Sequence, residues 1–169
     1  MAWIELHQSL PQHRKLLALR DALCPAAKVS VLSNATQIHR DSVRRALLRV
    51  DNNLLKLDSA FDETVRLINN PAGNYTVART VELMKLFEGR IIVQTMFLRG
   101  MCNGRRVDNT TEREVAAWLD LVREIAPRQV MVYSLDRDTP CPTLEKVPKE
   151  ELQAIARRVE QAGIPCTAA

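Results

Sequence analysis

The chain has 169 residues, which suits one domain with a sizeable hydrophobic core. Aromatic residues make up only 4% of the chain, and an aliphatic-rich composition of this kind favours buried parallel strands covered by helices. The net charge of +4 mixes both signs, so an anionic partner is permitted but not required. No run approaches the roughly 20 apolar residues that span a bilayer, and no signal-peptide pattern opens the chain. We therefore expect a cytoplasmic protein.

The four cysteines are far apart in the sequence and match no metal-binding spacing. They are Cys24, Cys102, Cys141 and Cys166. Zinc sites and iron–sulfur clusters use cysteines at short, fixed spacings. We therefore expect four reduced thiols and no metal site in this chain.

Residues 1–24 predict an N-terminal basic amphipathic helical segment. Leucines recur at helical spacing, and Arg14, Lys15 and Arg20 lie on the other side. Such a helix could contact nucleic acid, or it could pack against the domain and leave its basic face in solvent.

Residues 25–169 predict a second segment in which short apolar strands alternate with amphipathic helices. The expected strands cover residues 28–33, 54–57, 90–98 and 129–134, with a last short edge strand at 164–167. Thr111 and Glu114 form a capping box at the start of one helix. Strands that alternate with helices give right-handed crossovers, so the pattern predicts an α/β fold with a parallel sheet.

Polar residues follow each apolar run, at the carboxyl edge of the predicted sheet where such folds bind ligands. This rule selects Asn34, Lys56, Asp58, Gln94, Thr95, Arg99, Tyr133 and Ser134. Alternatives stay open for most of them. Asn34 suits a turn as well as a ligand site. Lys56 and Asp58 share one strand face and could form an internal ion pair instead. Gln94 and Thr95 could bond within the protein layers. The basic loop 99–106 could meet a phosphate or an RNA, or be solvated.

Four strand-end segments, in this order, resemble the later strands of radical S-adenosylmethionine (SAM) enzymes. They read Val-Leu-Ser-Asn-Ala-Thr, Leu-Lys-Leu-Asp-Ser-Ala-Phe, Ile-Val-Gln-Thr-Met-Phe-Leu-Arg-Gly and Val-Met-Val-Tyr-Ser-Leu-Asp-Arg. The resemblance is greatest to the prokaryotic branch related to tRNA wyosine-synthesis proteins, and it covers residues 28–168. It implies an incomplete parallel (β/α) barrel of about four or five strands with an extra N-terminal helix.

The same resemblance implies two cofactors, SAM and a [4Fe–4S] cluster. In the family a Cys-x3-Cys-x2-Cys motif holds the cluster, and this motif is absent from the chain. We therefore expect neither cofactor to bind well to this chain alone. The resemblance implies cofactor contacts from Asn34, Lys56, Asp58, Gln94 and Tyr133. It implies substrate contacts from Thr95, Arg99 and Ser134.

Two functions follow as expectations. The first is the C-terminal portion of a radical SAM enzyme, inactive alone, whose partner is a cluster-bearing N-terminal half or a second copy, with RNA or another anionic molecule as substrate. The second is a non-catalytic half-barrel binding module able to contact nucleic acid. The sequence assigns no catalytic residue to either.

Overall fold

The computed structural model of the protein describes residues 10–71, 73–102, 104–136 and 141–169. Six helices lie in these ranges: α1 Leu10–Leu23, α2 Asp41–Leu47, α3 Asp62–Asn69, α4 Val77–Lys85, α5 Glu112–Ile125 and α6 Lys149–Gln161. Eight strands accompany them: β1 Ser30–Ser33, β2 Asn52–Lys56, β3 Ile92–Met96, β4 Leu98–Cys102, β5 Arg105–Asp108, β6 Gln129–Tyr133, β7 Leu144–Lys146 and β8 Cys166–Ala168. The first nine residues of the predicted N-terminal helical segment lie outside the described part.

The main sheet has five strands in the order β1-β2-β3-β6-β8. All four strand pairs in it are parallel. Helices connect the strands, as an apolar strand followed by an amphipathic helix requires. The sequence-based expectation of an incomplete parallel (β/α) barrel is confirmed, including a short last strand at the edge.

Two helices begin at a threonine that caps the first turn. Thr111 is the N-cap of α5, and its side chain accepts a hydrogen bond from the backbone N–H of Glu114 at 3.3 Å. Thr76 caps α4 in the same way, accepting from the N–H of Arg79. Each bond satisfies one of the free N–H groups in the first turn of a helix. Thr111 therefore forms its half of the predicted capping box, whereas the Glu114 carboxylate bonds to Ser59 and Thr64 instead.

The core lies between the sheet and its helices. Val31, Leu55, Val93, Val130 and Val132 are all buried on the sheet face that packs against them. Successive strand residues point to opposite faces, which explains why this apolar set recurs in every strand. In the described part of the chain, no helix is long and apolar enough to cross a membrane.

A second, antiparallel sheet stands where the sequence predicted loops. The basic stretch 99–106 is not a loop, because β4 and β5 form a hairpin there, and β7 adds a third strand in the order β5-β4-β7. Gly100, at φ 134°, allows close approach: a Cβ at this position would lie 2.3 Å from the carbonyl oxygen of Thr143. The pairing joins segments about forty residues apart, so local periodicity could not show it.

The same pairing brings two cysteines together. Cys102 and Cys141 form a disulfide with a Cα–Cα distance of 5.3 Å. Cys24 and Cys166 are free. The expectation of four separate reduced thiols was therefore wrong for one pair. The reason is the β4–β7 contact, which places residues 39 positions apart in sequence side by side.

Candidate functional site

A cavity of about 790 Å³ lies at the carboxyl edge of the main sheet. Its walls come from the loop after β1, the end of β2, the end of α3 with the loop behind it, and the first turns of α4. The polar side chains that line it are Asn34, Thr36, Gln37, His39, Lys56, Asp58, Asn69, Asn70, Asn74, Tyr75, Thr76, Arg79 and Thr80. This volume is typical of sites for small organic ligands.

The loop after β1 is a tight turn that presents Asn34 at the cavity. Its Oδ1 accepts hydrogen bonds from the backbone N–H of Thr36 at 3.2 Å and from the Thr36 hydroxyl at 2.8 Å. Ala35 follows in the left-handed region at φ 63°. Asn34 is exposed and makes the turn bonds that were one of its two predicted roles. Its Nδ2 has no hydrogen-bond partner within the described residues, so this group is free to donate to a ligand.

Lys56 and Asp58 form the ion pair that the sequence left as one of two alternatives. Lys56 Nζ lies 3.2 Å from Asp58 Oδ2 and donates to Asn69 Oδ1 at 3.1 Å. Asn69 Nδ2 donates to the same Asp58 oxygen at 2.6 Å. Burial opposes the charge of Lys56, but Asp58 and the Tyr133 hydroxyl outweigh it and raise the pKa of the lysine above its usual value. The lysine is therefore charged at neutral pH.

Asp58 is held from the other side by the backbone. Its Oδ1 accepts from the N–H of Met96 at 2.8 Å, at the end of the neighbouring strand β3. The carboxylate is fully buried. Both of its oxygens already have protein partners, so the pair ties the ends of β2 and β3 together at the cavity floor.

Asn109 is a site residue that the sequence did not reveal. It is 1% exposed, and its Nδ2 donates to the carbonyl oxygens of Asp58 and Met96, both at 2.8 Å. Its Oδ1 accepts from the N–H of Leu98 at 2.8 Å. One amide thus satisfies three backbone groups where β2 and β3 end. The sequence shows only an Asn-x-Thr triplet here, which carries no signal of this role.

A buried carboxylate supports the same edge. Glu114 accepts from the hydroxyls of Ser59 and Thr64, each at 2.6 Å. Ser59 follows Asp58 directly, and Thr64 belongs to α3. Glu114, in the first turn of α5, therefore anchors the segment that leads from the ion pair into α3.

Gln94 and Tyr133 lie next to the ion pair on neighbouring strands. Gln94 is the register partner of Lys56 on β3, and its Nε2 lies 3.9 Å from the sulfur of Met131. Tyr133 is a hydrogen-bond partner of Lys56. The structure thus groups four of the five predicted cofactor residues, but of the five only Asn34, Lys56 and Asp58 line the cavity.

The three predicted substrate residues lie elsewhere. Thr95 is fully buried; its hydroxyl donates to the carbonyl of Leu57 and accepts from the indole N–H of Trp118. Ser134 is also buried and bonds to backbone groups. Arg99 makes two hydrogen bonds to Glu151, at 2.9 and 3.0 Å. None of the three lines the cavity, and a role in substrate binding stays a prediction.

Tyr75 and Arg79 line the cavity without having been predicted. Burial raises the pKa of the Tyr75 phenol, so it is protonated at neutral pH. Both belong to the α3–α4 segment, which follows a helix instead of a strand. A rule that searches only strand ends cannot select them.

The described residues do not fit a [4Fe–4S] cluster. They contain no group of three or more His, Cys, Asp or Glu side chains placed to hold a metal ion. Two of the four cysteines are joined to each other. The cavity, in contrast, has the volume and the hydrogen-bonding groups that a nucleoside-sized molecule such as SAM needs.

No protein-family model matches the sequence, and no curated protein matches it either. Solved structures match the fold. A radical SAM methyltransferase from Sphaerobacter thermophilus gives a TM-score of 0.63 at 15% identity, over 83% of this chain and 39% of that chain. A domain of pyruvate-formate lyase-activating enzyme from Bacteroides vulgatus gives a TM-score of 0.66 at 10% identity, over 99% of this chain and 98% of that chain. Streptococcus suis SuiB bound to S-adenosylmethionine gives a TM-score of 0.61 at 12% identity, over 93% of this chain and 34% of that chain.

These similarities establish the fold class. The chain has a parallel α/β fold like that of radical SAM enzymes. It spans 39% and 34% of the methyltransferase and of SuiB, but nearly all of the Bacteroides domain. The closer relation to the wyosine-synthesis branch stays a prediction.

Proposed function

We propose that this chain is the C-terminal portion of a radical SAM enzyme of the wyosine-related branch. It contributes walls of the SAM and substrate cavity and is inactive alone. The observation that carries the proposal is the cavity at the carboxyl edge of an incomplete barrel, with Asn34 and the Lys56–Asp58 pair in its walls. The cluster would come from a separate N-terminal half.

The open edge of the sheet supports such a partner. Within the described residues β1 pairs only with β2, so one side of β1 has no neighbouring strand. An unpaired edge is a template for pairing with another chain. Leu19 and Leu23 of α1, the helix that precedes β1, are 57% and 74% exposed, which adds apolar surface for a partner.

SAM binding tests the cavity part of the proposal. We expect Asn34→Ala to weaken binding of SAM several-fold in a calorimetric titration, because a donor at the cavity wall is lost. Asn52→Ala is the matched control, since Asn52 lies at the start of β2 and does not line the cavity. Equal affinities in the two variants would remove Asn34 from the site.

Iron and sulfide analysis tests whether the isolated chain can hold a [4Fe–4S] cluster. After anaerobic reconstitution we expect the isolated chain to hold far less than one [4Fe–4S] cluster, because no set of thiolates is available. A stoichiometric cluster in the isolated chain would overturn the proposal.

A second candidate function is a non-catalytic module that contacts nucleic acid. The distribution of charge along the sequence favours it. Residues 1–50 contain eight Lys or Arg and only three Asp or Glu, whereas the rest of the chain contains 16 Lys or Arg and 17 Asp or Glu. Binding through such a face depends steeply on salt. An electrophoretic shift assay with single-stranded RNA at two salt concentrations tests this candidate, and the SAM titration separates it from the first.

A further inference from the structure

The cavity carries a net positive charge from the side chains that line it. Lys56 and Arg79 are cations, and among the described lining residues Asp58 is the only carboxylate. Lys56 neutralises Asp58 at 3.2 Å. Arg79 is therefore left as the uncompensated charge of the cavity, because no carboxylate of the described residues lies within ion-pair distance of it.

Lys56 supplies charge but no free hydrogen bond. Its ammonium group has three N–H donors. Asp58, Asn69 and Tyr133 are its three partners. A ligand that needs a strong donor in this cavity must find it elsewhere.

Two other lining residues, Arg79 and Asn34, offer free donors. Arg79 is exposed in the first turn of α4, which contains no acidic residue. The N-terminus of a helix adds a positive potential there, although Asp62 accepts from the N–H of Val77 at 2.6 Å and offsets part of it. Asn34 contributes its free Nδ2 from the loop after β1. A guanidinium and an amide N–H facing one cavity suit an oxyanion.

We propose that this cavity binds a small-molecule substrate through an anionic group, a phosphate or a carboxylate, held by Arg79 and Asn34. The inference rests on the proposed function and names the substrate class for it. SAM carries two cations, a sulfonium and an ammonium group, and one carboxylate, so a positive wall favours an anionic substrate over the cofactor as a whole. The volume of about 790 Å³ suits a small molecule better than a polymer.

The surroundings of the cavity favour the arrival of an anion. The loop that lines it leads directly into α2, where Arg40, Arg45 and Arg49 are exposed. Arg45 is paired with Asp41, and the other two have no acidic partner among the described residues. A patch of one sign beside a cleft raises the local concentration of oppositely charged ligands.

The test is an amide NMR titration of the full chain at low ionic strength, with inorganic phosphate in one arm and malonate in the other. We expect saturable shifts in the amides of residues 34–36 and 76–80. Arg79→Gln should raise the apparent dissociation constant about fivefold, as expected for loss of one partly exposed charged donor. Arg66→Gln is the matched control, because Arg66 is an exposed arginine on α3 that does not line the cavity.

Tighter binding of phosphate points to a phosphorylated substrate, and tighter binding of malonate points to a carboxylated one; either supports the proposal. Equal effects of Arg79→Gln and Arg66→Gln would overturn it. A titration with a single-stranded oligoribonucleotide gives a second way to overturn it. If the oligoribonucleotide binds, and if Arg45→Gln weakens that binding while Arg79→Gln does not, the anion site is the outer face of α2 and not the cavity.

A parallel SAM titration separates this inference from the proposed function. If phosphate binds through Arg79 while SAM does not bind, the cavity is an anion site and the radical SAM assignment fails. If SAM binds with a dependence on Asn34 while neither anion binds, the assignment stands and the substrate class is wrong.

Discussion

Replacing Asn109 by alanine should destabilise the protein strongly, although the side chain does not itself line the cavity. The side chain satisfies three buried backbone groups, on Asp58, Met96 and Leu98, at 2.8 Å each. No water can easily replace it, because the residue is 1% exposed. Each buried group left unpaired costs about 1 kcal/mol or more, so we expect a loss of about 3 kcal/mol in the free energy of unfolding.

Urea denaturation followed by circular dichroism measures this loss. For a domain of this size about 3 kcal/mol corresponds to a fall of roughly 6–12 °C in Tm, so the variant should still fold at 25 °C. Asn109→Asp adds a sharper test, since it keeps the acceptor for Leu98 but loses the donor to two carbonyls and buries a charge. It should be at least as destabilising as alanine.

Asn74→Ala is the control for the Asn109 variants, because Asn74 is an exposed asparagine at the cavity mouth. It should change the free energy of unfolding by less than about 0.5 kcal/mol. If Asn109→Ala costs no more than this control, the three hydrogen bonds do not hold the strand ends, and the account of the cavity floor is wrong.

Three further predictions concern the disulfide, the Lys56–Asp58 ion pair and the buried side-chain amide of Asn53. Reducing the Cys102–Cys141 disulfide releases a 39-residue loop and should lower the free energy of unfolding by up to about 4 kcal/mol. The Tm measured with and without reductant should fall accordingly, and a Cys102→Ser variant should show no such effect of the reductant. Lys56→Met should cost about 3 kcal/mol at pH 7, because it leaves Asp58 unpaired. The pKa of Lys56 is raised in the folded state, so its contribution is complete below about pH 10.4, the unfolded value, and is lost as pH rises through the folded pKa. A penalty that does not diminish as the pH is raised above the unfolded value would contradict this. Asn53→Val should raise the free energy of unfolding by about 1 kcal/mol in urea, since both amide atoms are buried without a partner in the described structure, and a loss would refute it.

The parallel sheet was predictable because its information is local. Most of its strands contain or adjoin a short apolar run, and the longer helices show an apolar spacing within about fifteen residues. The pairing of Lys56 with Asp58 was also accessible as one of two interpretations, because residues two apart on a strand share a face. These features follow from geometry within one element.

Several of the missed features depend on contacts between distant segments. The Cys102–Cys141 disulfide joins positions 39 residues apart, and the β4–β7 pairing that accompanies it joins segments that are still farther apart. Asn109 acts on the ends of two strands that precede it by 13 and 51 residues. No period or motif encodes such distances, and an asparagine in a turn is expected on turn chemistry alone.

The protein already supplies the partners of Lys56 and Asp58, and this distinguishes their role from that of Arg79. Asp58 uses both carboxylate oxygens, and Lys56 has three partners, all within the protein. Substituting either should therefore change stability and ligand binding together, since the cavity floor moves when the pair is broken. Arg79 is exposed and has no acidic partner among the described residues, so its substitution should change ligand binding at nearly constant stability. Measuring both quantities for both variants distinguishes residues that shape the cavity from a residue that contacts the ligand.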